Sequence, residues 1–476
     1  MTTNSGTQRW ILILTSLGSF LVVLDMLVVA TALTTIHRDL GASMADLEWT
    51  VNAYTLSFAV LLMSAAALGD RFGRRGGYVA GLAVFGSASA ACALSSNVGM
   101  LIAARAVQGV GAAIVMPLAL SLLNAAFPPA RRGRAMGIYG SVTGLAAALG
   151  PVVGGAVTQG LAWQWIFWIN VPIAVAAIPL VLMRVPTSRV AGASVDLPGL
   201  ALGAVAALGF AWALVRGNET GWTSTQVLAC LAAGAAGTLA FVAWENVAAR
   251  PMLPMRLFRA RGFSAGNVAI FCLNASLAGA VFFGAQFLQV GLGHDPLAAG
   301  LRLLPWGIAP LLVAPRAGAL ADRIGERPLV VTGLFLQAAG MTWMALVASP
   351  TLSYTVLAAP MSLAGVGFSL ALPPLAKAVI GSVAVTDIGT ASGAFSTMRQ
   401  LGGALGVAIL AVAFASNGDY ISATAFTHGY SRAMLLAAGL ALAAAIAGAA
   451  LPARITTASS TLASVERPTT PADAAA

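Results

Sequence analysis

The chain has 476 residues, of which 59% are hydrophobic and only 8% are charged, and its formal net charge is +10. A soluble domain carries about 25% charged residues, so this composition is typical of a protein that is solvated mainly by lipid. The excess of basic residues does not indicate nucleic acid binding, because these residues are scattered over short segments rather than gathered on one face. The three cysteines all lie inside apolar runs and indicate no disulfide framework.

Fourteen apolar runs, each close to the roughly 20 residues that a membrane-spanning helix needs, follow one another along the chain. Their predicted starts are Trp10, Leu47, Tyr78, Gly99, Ala135, Ile166, Pro198, Gln226, Phe263, Leu297, Pro328, Ser353, Val385 and Ser431. An even number places both termini on one side of the membrane. With the termini inside, only four of the 25 basic residues fall in outer loops, namely Arg38, Arg216, Arg302 and Arg432. This asymmetry predicts a multi-pass protein of the cytoplasmic membrane with both termini in the cytoplasm.

The polar segments between these runs predict the domain organisation. Residues 1–183 are expected to form an N-terminal six-helix bundle, and residues 184–262 a linker with two inserted helices, 7 and 8. Residues 263–451 are expected to form a C-terminal six-helix bundle. The tail, residues 452–476, is rich in Thr, Ser, Ala and Pro and is predicted to be disordered. The sequence thus predicts an all-α integral membrane protein.

One charged segment occurs at corresponding points of the two halves. Residues 68–75 and residues 320–327 both read Leu-x-Asp-Arg-x-Gly-x-Arg, and each closes a long apolar run. Membrane proteins built from two related bundles often carry such internal repeats and enclose a central substrate path. Arginines in such loops can bridge helices, and an acid beside a helix N-terminus gains from the helix dipole. We therefore expect these residues to act as conformational latches: Asp70, Arg71, Arg74, Asp322 and Arg323.

Further motifs follow in helix order. Helix 1 carries Leu24-Asp25-Met26, helix 4 carries Arg105 and Gln108-Gly109 within residues 101–111, and residues 163–172 lead into helix 6. Helix 5 carries Gly144, Gly150, Pro151, Gly154 and Gly155. In this order, and with residues 68–75, these motifs resemble those of the major facilitator superfamily and its branch of 14-helix drug:proton antiporters. The resemblance implies a major facilitator fold with two six-helix bundles and an inserted helix pair. Ala66 and Gln164 depart from the family pattern.

Asp25 and Arg105 are the residues that we expect to couple transport to protons. An ionisable side chain inside a membrane is costly and is a functional candidate by default. Counted from the predicted helix ends, Asp25 lies roughly 12 Å and Arg105 roughly 9 Å below the outer face. The two charges therefore share a depth, and a carboxylate beside a cation can load and release a proton as its surroundings change. The alternative is a permanent ion pair that only orients helices 1 and 4.

The glycines of helix 5 are predicted to have a gating role. Small residues four apart, at Gly140 and Gly144 and again at Gly150 and Gly154, let another helix approach closely, and Pro151 can kink the span. The resemblance associates this motif with antiporters. A closely packed, kinked helix can seal the path against proton leakage, although the spacing is equally explained by close packing alone.

Seven other polar or aromatic positions are candidates for lining the substrate cavity, although each can equally face a neighbouring helix. They are Asn52, Tyr54, Gln108, Gln286, Gln289, Trp306 and Arg399. For Arg399, near mid-membrane in helix 13, a structural role is the stronger alternative. The second bundle carries no acid deep in a helix, so a neutral, zwitterionic or anionic substrate is expected rather than a dication.

Enzymatic activity and cofactors are not expected. A phosphate-binding loop needs Gly-Lys-Ser or Gly-Lys-Thr, whereas Lys377 follows Ala376. The three histidines are too far apart in sequence to indicate a metal site. We expect a monomeric exporter that exchanges protons for a mostly apolar small molecule such as an antibiotic, with no nucleic acid partner. Proton-coupled uptake or export of a metabolite is one alternative. A non-transporting membrane sensor is the other, and it would need an output domain.

Overall fold

The computed structural model describes residues 5–187, 196–384 and 387–452. Fourteen helical spans follow one another in this part of the chain, and two of them consist of two consecutive helices. They are α1 (Ser5–Leu40), α2 (Met44–Phe72), α3 (Arg74–Ala93), α4 (Val98–Ala126), α5 (Pro129–Gly160), α6 (Trp165–Trp168 and Asn170–Arg184), α7 (Leu197–Thr220), α8 (Thr225–Val247), α9 (Arg261–Gln286), α10 (Pro296–Arg302 and Leu304–Ile324), α11 (Glu326–Val347), α12 (Tyr354–Gly381), α13 (Ile388–Ala415) and α14 (Ala423–Ala449). A short 3-10 helix, Met255–Arg259, precedes α9, and a π-helical turn, Phe287–Gly291, ends it.

These helices are long and apolar enough to cross a membrane. Within the described residues, 13 spans meet that condition by length and hydropathy. The fourteenth, α2, is 29 residues long and has no charged residue between Trp49 and Gly69. The predicted all-α membrane fold is therefore confirmed, while the linker residues 188–195 and the tail residues 453–476 lie outside the described part of the chain.

Several helices extend further than their apolar runs. The apolar run of α14 starts near Ser431, whereas the helix begins at Ala423, and α1 reaches Leu40. The Ser422 side chain accepts a hydrogen bond of 3.1 Å from the Ala425 N–H, and this N-cap fixes the start of α14 outside the apolar run. Hydropathy indicates which residues lie in lipid, whereas capping side chains determine the first and last residues of a helix. His428, which precedes the predicted start of helix 14 at Ser431, consequently lies in α14.

Helices α1–α6 pack mainly on one another, and so do α9–α14. Helices α7 and α8 form a pair, and α7 also contacts α2 and α13. At that contact, Ala207 and Ala211 of α7 pack with Leu56 of α2 and Ala404 of α13. The inserted pair therefore lies against the seam between the two groups of helices rather than apart from them.

The two bundles meet near the side of the membrane that the sequence assigns to the outside. At the outer end of α5, a Cβ atom at Gly155 would lie 2.8 Å from the Leu297 Cα at the start of α10. The Gln289 side chain, in the π turn after α9, donates a hydrogen bond of 3.1 Å to the Thr31 carbonyl of α1. In the inner halves of α5 and α10, a Cβ atom at Gly140 or Gly318 would meet no atom within 4 Å. The path between the bundles is therefore closed, in this structure, on the side that the sequence assigns to the outside, which is called the outer side below.

Candidate functional site

Asp25 of α1 lies at the centre of a buried polar cluster. Its Oδ2 accepts a hydrogen bond of 2.6 Å from Arg105 Nη1, and the two side chains are 0% and 1% exposed. Its Oδ1 accepts from Gln108 Nε2 at 2.8 Å and from Asn170 Nδ2 at 2.9 Å. Both carboxylate oxygens are thus held by three side chains from α4 and α6, as a buried charge requires.

Ser89 of α3 forms the second layer of this cluster. Its hydroxyl accepts hydrogen bonds from Asn170 Nδ2 at 3.0 Å and Gln108 Nε2 at 3.2 Å, and it donates to the Phe167 carbonyl at 2.9 Å. These bonds hold both amide side chains in the orientation that points their N–H groups at Asp25. Four helices, α1, α3, α4 and α6, therefore cooperate to fix the position of one carboxylate.

The Arg105 guanidinium is held on the side away from Asp25. Its Nε donates a hydrogen bond of 3.2 Å to the Thr50 carbonyl of α2, and its Nη1 also donates to Gln108 Oε1 at 2.8 Å. The Tyr54 ring lies 4.2 Å from the guanidinium carbon, a cation–π distance. The Tyr54 hydroxyl in turn donates to the Val22 carbonyl of α1. Because the pair excludes water, separating the two charges is costly unless Asp25 becomes neutral.

Local sequence explains how these side chains meet. Arg105 and Gln108 are three residues apart on α4 and therefore lie on one face. Helix α6 is interrupted at Ile169, between Trp165–Trp168 and Asn170–Arg184, and Asn170 begins its second part. The Asp25–Arg105 contact forms although α1 extends beyond its predicted end. Counted from Leu40, Asp25 lies roughly 22 Å from the end of α1, so the predicted depth of roughly 12 Å was wrong, although the predicted contact with Arg105 forms.

Two residues that were predicted to line the substrate cavity take part in this cluster, and their role in the cavity stays a prediction. Gln108 is 0% exposed because its amide is bonded to Asp25 and Ser89, and Tyr54 is 0% exposed beneath Arg105. Ser89 and Asn170 were not anticipated. Asn170 belongs to the motif that leads into helix 6, which was a usable signal, whereas Ser89 is one small hydroxyl residue among many in apolar helices.

Gln286 and Gln289 lie in the outer closure between the bundles. Gln289 contacts the Thr34 hydroxyl and the Thr31 carbonyl of α1, and Gln286 accepts a hydrogen bond from the Tyr420 hydroxyl. Glu48, one turn into α2, is 4% exposed and interacts electrostatically with Tyr420. The sequence analysis did not single out Glu48, because it lies close to the outer end of its helix.

Asn52 and Trp306, also predicted to line the cavity, are buried with unused hydrogen-bonding capacity. Asn52 is 0% exposed, and neither its Nδ2 nor its Oδ1 has a hydrogen-bond partner. Trp306 is 6% exposed, and its Nε1 likewise has none. Buried polar groups in proteins are almost always paired, so these groups are available to a ligand or to bound water. Their assignment to the cavity stays a prediction.

The residues that were predicted to act as latches are described only in part. The side chains of Asp70, Arg71 and Asp322 lie outside the described part of the structure, and Arg323 is exposed. Two ion pairs near the predicted inner face were not anticipated. Lys377 Nζ lies 2.9 Å from Glu326 Oε1, and Arg256 contacts both carboxylate oxygens of Asp387 at 2.7 and 2.8 Å. The hydrogen bonds from Arg256 hold the pKa of the Asp387 carboxyl below its usual value.

The glycines of α5 face two different neighbours. A Cβ atom at Gly150 would lie 2.7 Å from Leu27 Cβ, and one at Gly154 would lie 2.9 Å from Val28 Cγ2, both in α1. Gly155 instead faces α10, and a Cβ atom at Gly144 would lie 3.0 Å from Leu311 of the same helix. Gly140, grouped with Gly144 by its spacing, faces open space. Two glycines thus serve packing within the first bundle, and two serve contact between the bundles.

Replacing Gly154 by leucine is expected to lower the stability of the first bundle. The new side chain would collide with Val28 and Thr31 of α1, three to six residues from Asp25, and overpacking of this kind costs about 1–3 kcal/mol. Thermal unfolding of the purified protein measures the effect. Gly439→Leu on α14, where a Cβ atom meets nothing within 4 Å, is the control. Equal losses in the two variants would show that the α1–α5 contact is not special.

Replacing Gly155 by leucine is expected to leave the bundles folded but to oppose their closure on the outer side. Its side chain would meet the backbone of Pro296 and Leu297 across the bundle interface, so the closed arrangement loses stability relative to an open one. A cysteine introduced at Thr34 reports the change through its labelling rate by a membrane-impermeant maleimide. We expect roughly ten-fold faster labelling in Gly155→Leu than in Gly439→Leu, a shift of about 1.4 kcal/mol. Unchanged labelling would contradict this assignment.

Two bundles of membrane helices around a closed path, with a buried carboxylate and arginine in one of them, define a secondary transporter. The sequence matches the Major Facilitator Superfamily over residues 15–407, and the chain belongs to this family of membrane transporters. The predicted family is thereby confirmed.

Several relatives cover nearly the whole chain. Multidrug resistance protein Stp from Mycobacterium tuberculosis (strain CDC 1551 / Oshkosh) is 34% identical over 89% of this chain and 78% of its own. Cephamycin export protein CmcT from Amycolatopsis lactamdurans is 35% identical over 95% of this chain and 94% of its own. Methylenomycin A resistance protein from Bacillus subtilis (strain 168) is 35% identical over 96% of this chain and 97% of its own.

Solved structures support the fold at lower sequence similarity. A bacterial homolog of the human lysosomal transporter Spinster, in an inward-facing and unoccupied conformation, has a TM-score of 0.68 at 15% identity and covers 94% of this chain and 98% of its own. The xylose transporter XylE from E. coli, in a partially occluded inward open conformation, has a TM-score of 0.63 at 15% identity, covering 91% of this chain and 97% of its own.

Proposed function

We propose that this protein exports an antibiotic or another mostly apolar small molecule across the cytoplasmic membrane in exchange for protons, and so confers resistance. The observation that carries the proton coupling is the fully buried Asp25–Arg105 pair. The direction of transport is supported by the names of relatives at 34–35% identity, which describe resistance and export. The same names argue against the alternative of metabolite uptake.

The cluster supports a specific order of events. With the outer side closed, Asp25 is charged and held by Arg105, Gln108 and Asn170. Opening the outer side separates α1 from the π turn after α9, because Gln289 bonds to the Thr31 carbonyl. Movement of α1 relative to α4 would loosen the ion pair and expose Asp25 to protons from outside. Once protonated, Asp25 attracts Arg105 less, and closure of the outer side re-forms the pair and expels the proton inward.

Substrate movement would use the same change of shape. The contacts of Gly155 with Leu297 and of Gln289 with Thr31 would be lost when the outer side opens. Rocking of the two bundles about a midplane site exchanges these contacts for inner ones. Drug and proton compete through the equilibrium between the arrangement closed on the outer side and the one open there. Each ligand shifts this equilibrium only by the difference between its affinities for the two arrangements. The exporter would function as a monomer, with both termini in the cytoplasm and the domain boundaries predicted from the sequence.

The proposal is tested by drug-driven proton movement. The full chain would be produced in a host that lacks its own drug pumps, and a growth-inhibition panel would first identify exported compounds. In inverted vesicles acidified inside, addition of such a compound should release protons, and vesicles from the same host without this protein should not respond. Resistance without proton release would contradict the coupling. Increased sensitivity together with inward accumulation in intact cells would favour the uptake alternative.

A further inference from the structure

Arg399 of α13 lies at mid-membrane opposite the first bundle. It follows the first residue of α13, Ile388, by eleven positions, which places it roughly 17 Å from the inner end of the helix. Tyr139 lies ten positions after the start of α5, or roughly 15 Å from the inner end of that helix. The Arg399 guanidinium and Tyr139 lie near each other. The two residues therefore come from opposite bundles and lie at a similar depth.

The face of α13 that carries Arg399 is turned toward the path. Ser392, Ser396 and Arg399, spaced three or four residues apart on one side of the helix, are all partly exposed. A Cβ atom built on Gly403, one turn further on the same side, would lie 3.0 Å from Asn274 Nδ2 of α9 and 3.8 Å from the Thr55 side chain of α2. The neighbouring Gly402 packs on Phe271 of α9. This side of α13 therefore borders α9 of its own bundle and α2 of the other bundle.

Among the described side chains, none balances the charge of Arg399. Its Nε is buried without a hydrogen-bond partner, and no carboxylate forms an ion pair with it among the side chains that the structure describes. Asn274 bonds only to its main-chain carbonyl, at 2.7 Å, which fixes the backbone and not the guanidinium. Asp25, the carboxylate at the centre of the first bundle, is already paired with Arg105. A cation at this depth is costly without a counter-charge, so a purely packing role does not account for it.

We propose that Arg399 is the anion-binding group of the substrate site, and that the protein therefore takes amphipathic molecules that carry a single carboxylate. The planar guanidinium donates two parallel hydrogen bonds to a carboxylate, which gives both affinity and orientation. At this depth in the first bundle, the buried Tyr139 and Ser19 hydroxyls are bonded to each other, and the sulfur of the partly exposed Met116 lies 3.8 Å from the Tyr139 hydroxyl. The polarisable Met116 side chain suits an adaptable apolar contact with the body of the molecule. The inference names the substrate class of the proposed exporter and rests on that function.

Binding of matched acids and esters tests this inference directly. The probes are 2-naphthylacetic acid, 4-biphenylacetic acid and fusidic acid, each beside its methyl ester, with purified full-length protein in lipid nanodiscs at pH 7.5. Equilibrium dialysis would give the Kd of each compound. At least one acid should bind about ten-fold or more tightly than its ester, because a charge-assisted pair of hydrogen bonds is lost in the ester. In Arg399→Gln, the affinity for that acid should fall to the level of the ester, and in Arg399→Lys it should be intermediate.

The controls separate this inference from the export function and from misfolding. Arg432→Gln, an exposed arginine of α14, should bind the acids like the unmodified protein, and thermal unfolding should show that Arg399→Gln is folded. Equal binding of acid and ester in every pair, an acid preference that survives in Arg399→Gln, or no binding of any probe would each overturn the anion site. If drug-driven proton release from vesicles persists in those cases, the export function stands and only the substrate class is wrong. If that release is absent, the export function itself fails.

Discussion

Asp25→Asn is expected to abolish proton-coupled export while leaving the protein folded. Asparagine has the size of aspartate, and its one oxygen can still accept hydrogen bonds from Gln108 and Asn170, while its NH2 group replaces the oxygen that Arg105 contacts, and it binds no proton in this pH range. It therefore mimics the protonated carboxyl permanently. Drug-driven proton release from inverted vesicles should drop to the level of vesicles without the protein. Exchange of labelled for unlabelled drug, which needs no net proton movement, should continue at a measurable rate.

The matched control for this experiment lies on the same helix. Asp39 is exposed at the outer end of α1, and Asp39→Asn should retain coupled export because its carboxylate lies in solvent. Normal proton release in Asp25→Asn would remove Asp25 from the coupling mechanism. Loss of both proton release and drug exchange, in a folded variant, would instead assign the cluster to binding or to movement of the bundles. The two readouts together distinguish a coupling group from a structural ion pair.

The charged residues of the site could be predicted from the sequence, because placing a charge in a membrane costs free energy. Asp25 and Arg105 stand out because charged side chains in apolar helices are expensive, and a count of residues from the helix ends placed them at one depth. The same argument did not find Glu48, since an acid one turn from a helix end is expected to reach water. It is nevertheless 4% exposed, because the outer closure covers it. Burial created by contact between bundles is not encoded in the periodicity of one helix.

The neighbour that each small residue contacts depends on the rotation of its helix about the helix axis. Spacing grouped Gly140 with Gly144 and Gly150 with Gly154, yet Gly140 faces open space and Gly144 faces the opposite bundle. Ser89 reaches the Asp25 cluster because the face of α3 that carries Ser89 packs against the face of α6 that carries Asn170. A single sequence does not specify this pairing of faces. The fold itself was predictable because fourteen apolar runs and a repeated charged loop are long-range signals. The contact partners of small residues are set by tertiary packing.

Arg105→Ala is expected to impair both stability and transport, and more severely than Arg105→Lys. Truncation leaves Asp25 as a buried carboxylate with only two amide donors, Gln108 and Asn170, and removing one partner of a buried pair costs about 3–5 kcal/mol. Lysine keeps the charge but has neither the fork that reaches Thr50 and Gln108 nor the flat face that lies over Tyr54. Thermal unfolding and drug-driven proton release would be measured on the same preparations.

The double variant Asp25→Asn with Arg105→Ala separates the structural from the coupling contribution of the pair. Removing both charges also removes the unpaired carboxylate, so most of the stability lost in Arg105→Ala should return, while proton release should stay absent. Recovery of proton release together with stability would mean that the pair only orients α1 and α4. A double variant that is no more stable than Arg105→Ala would show that the lost packing of the guanidinium against Tyr54, and not the unpaired charge, destabilises the bundle.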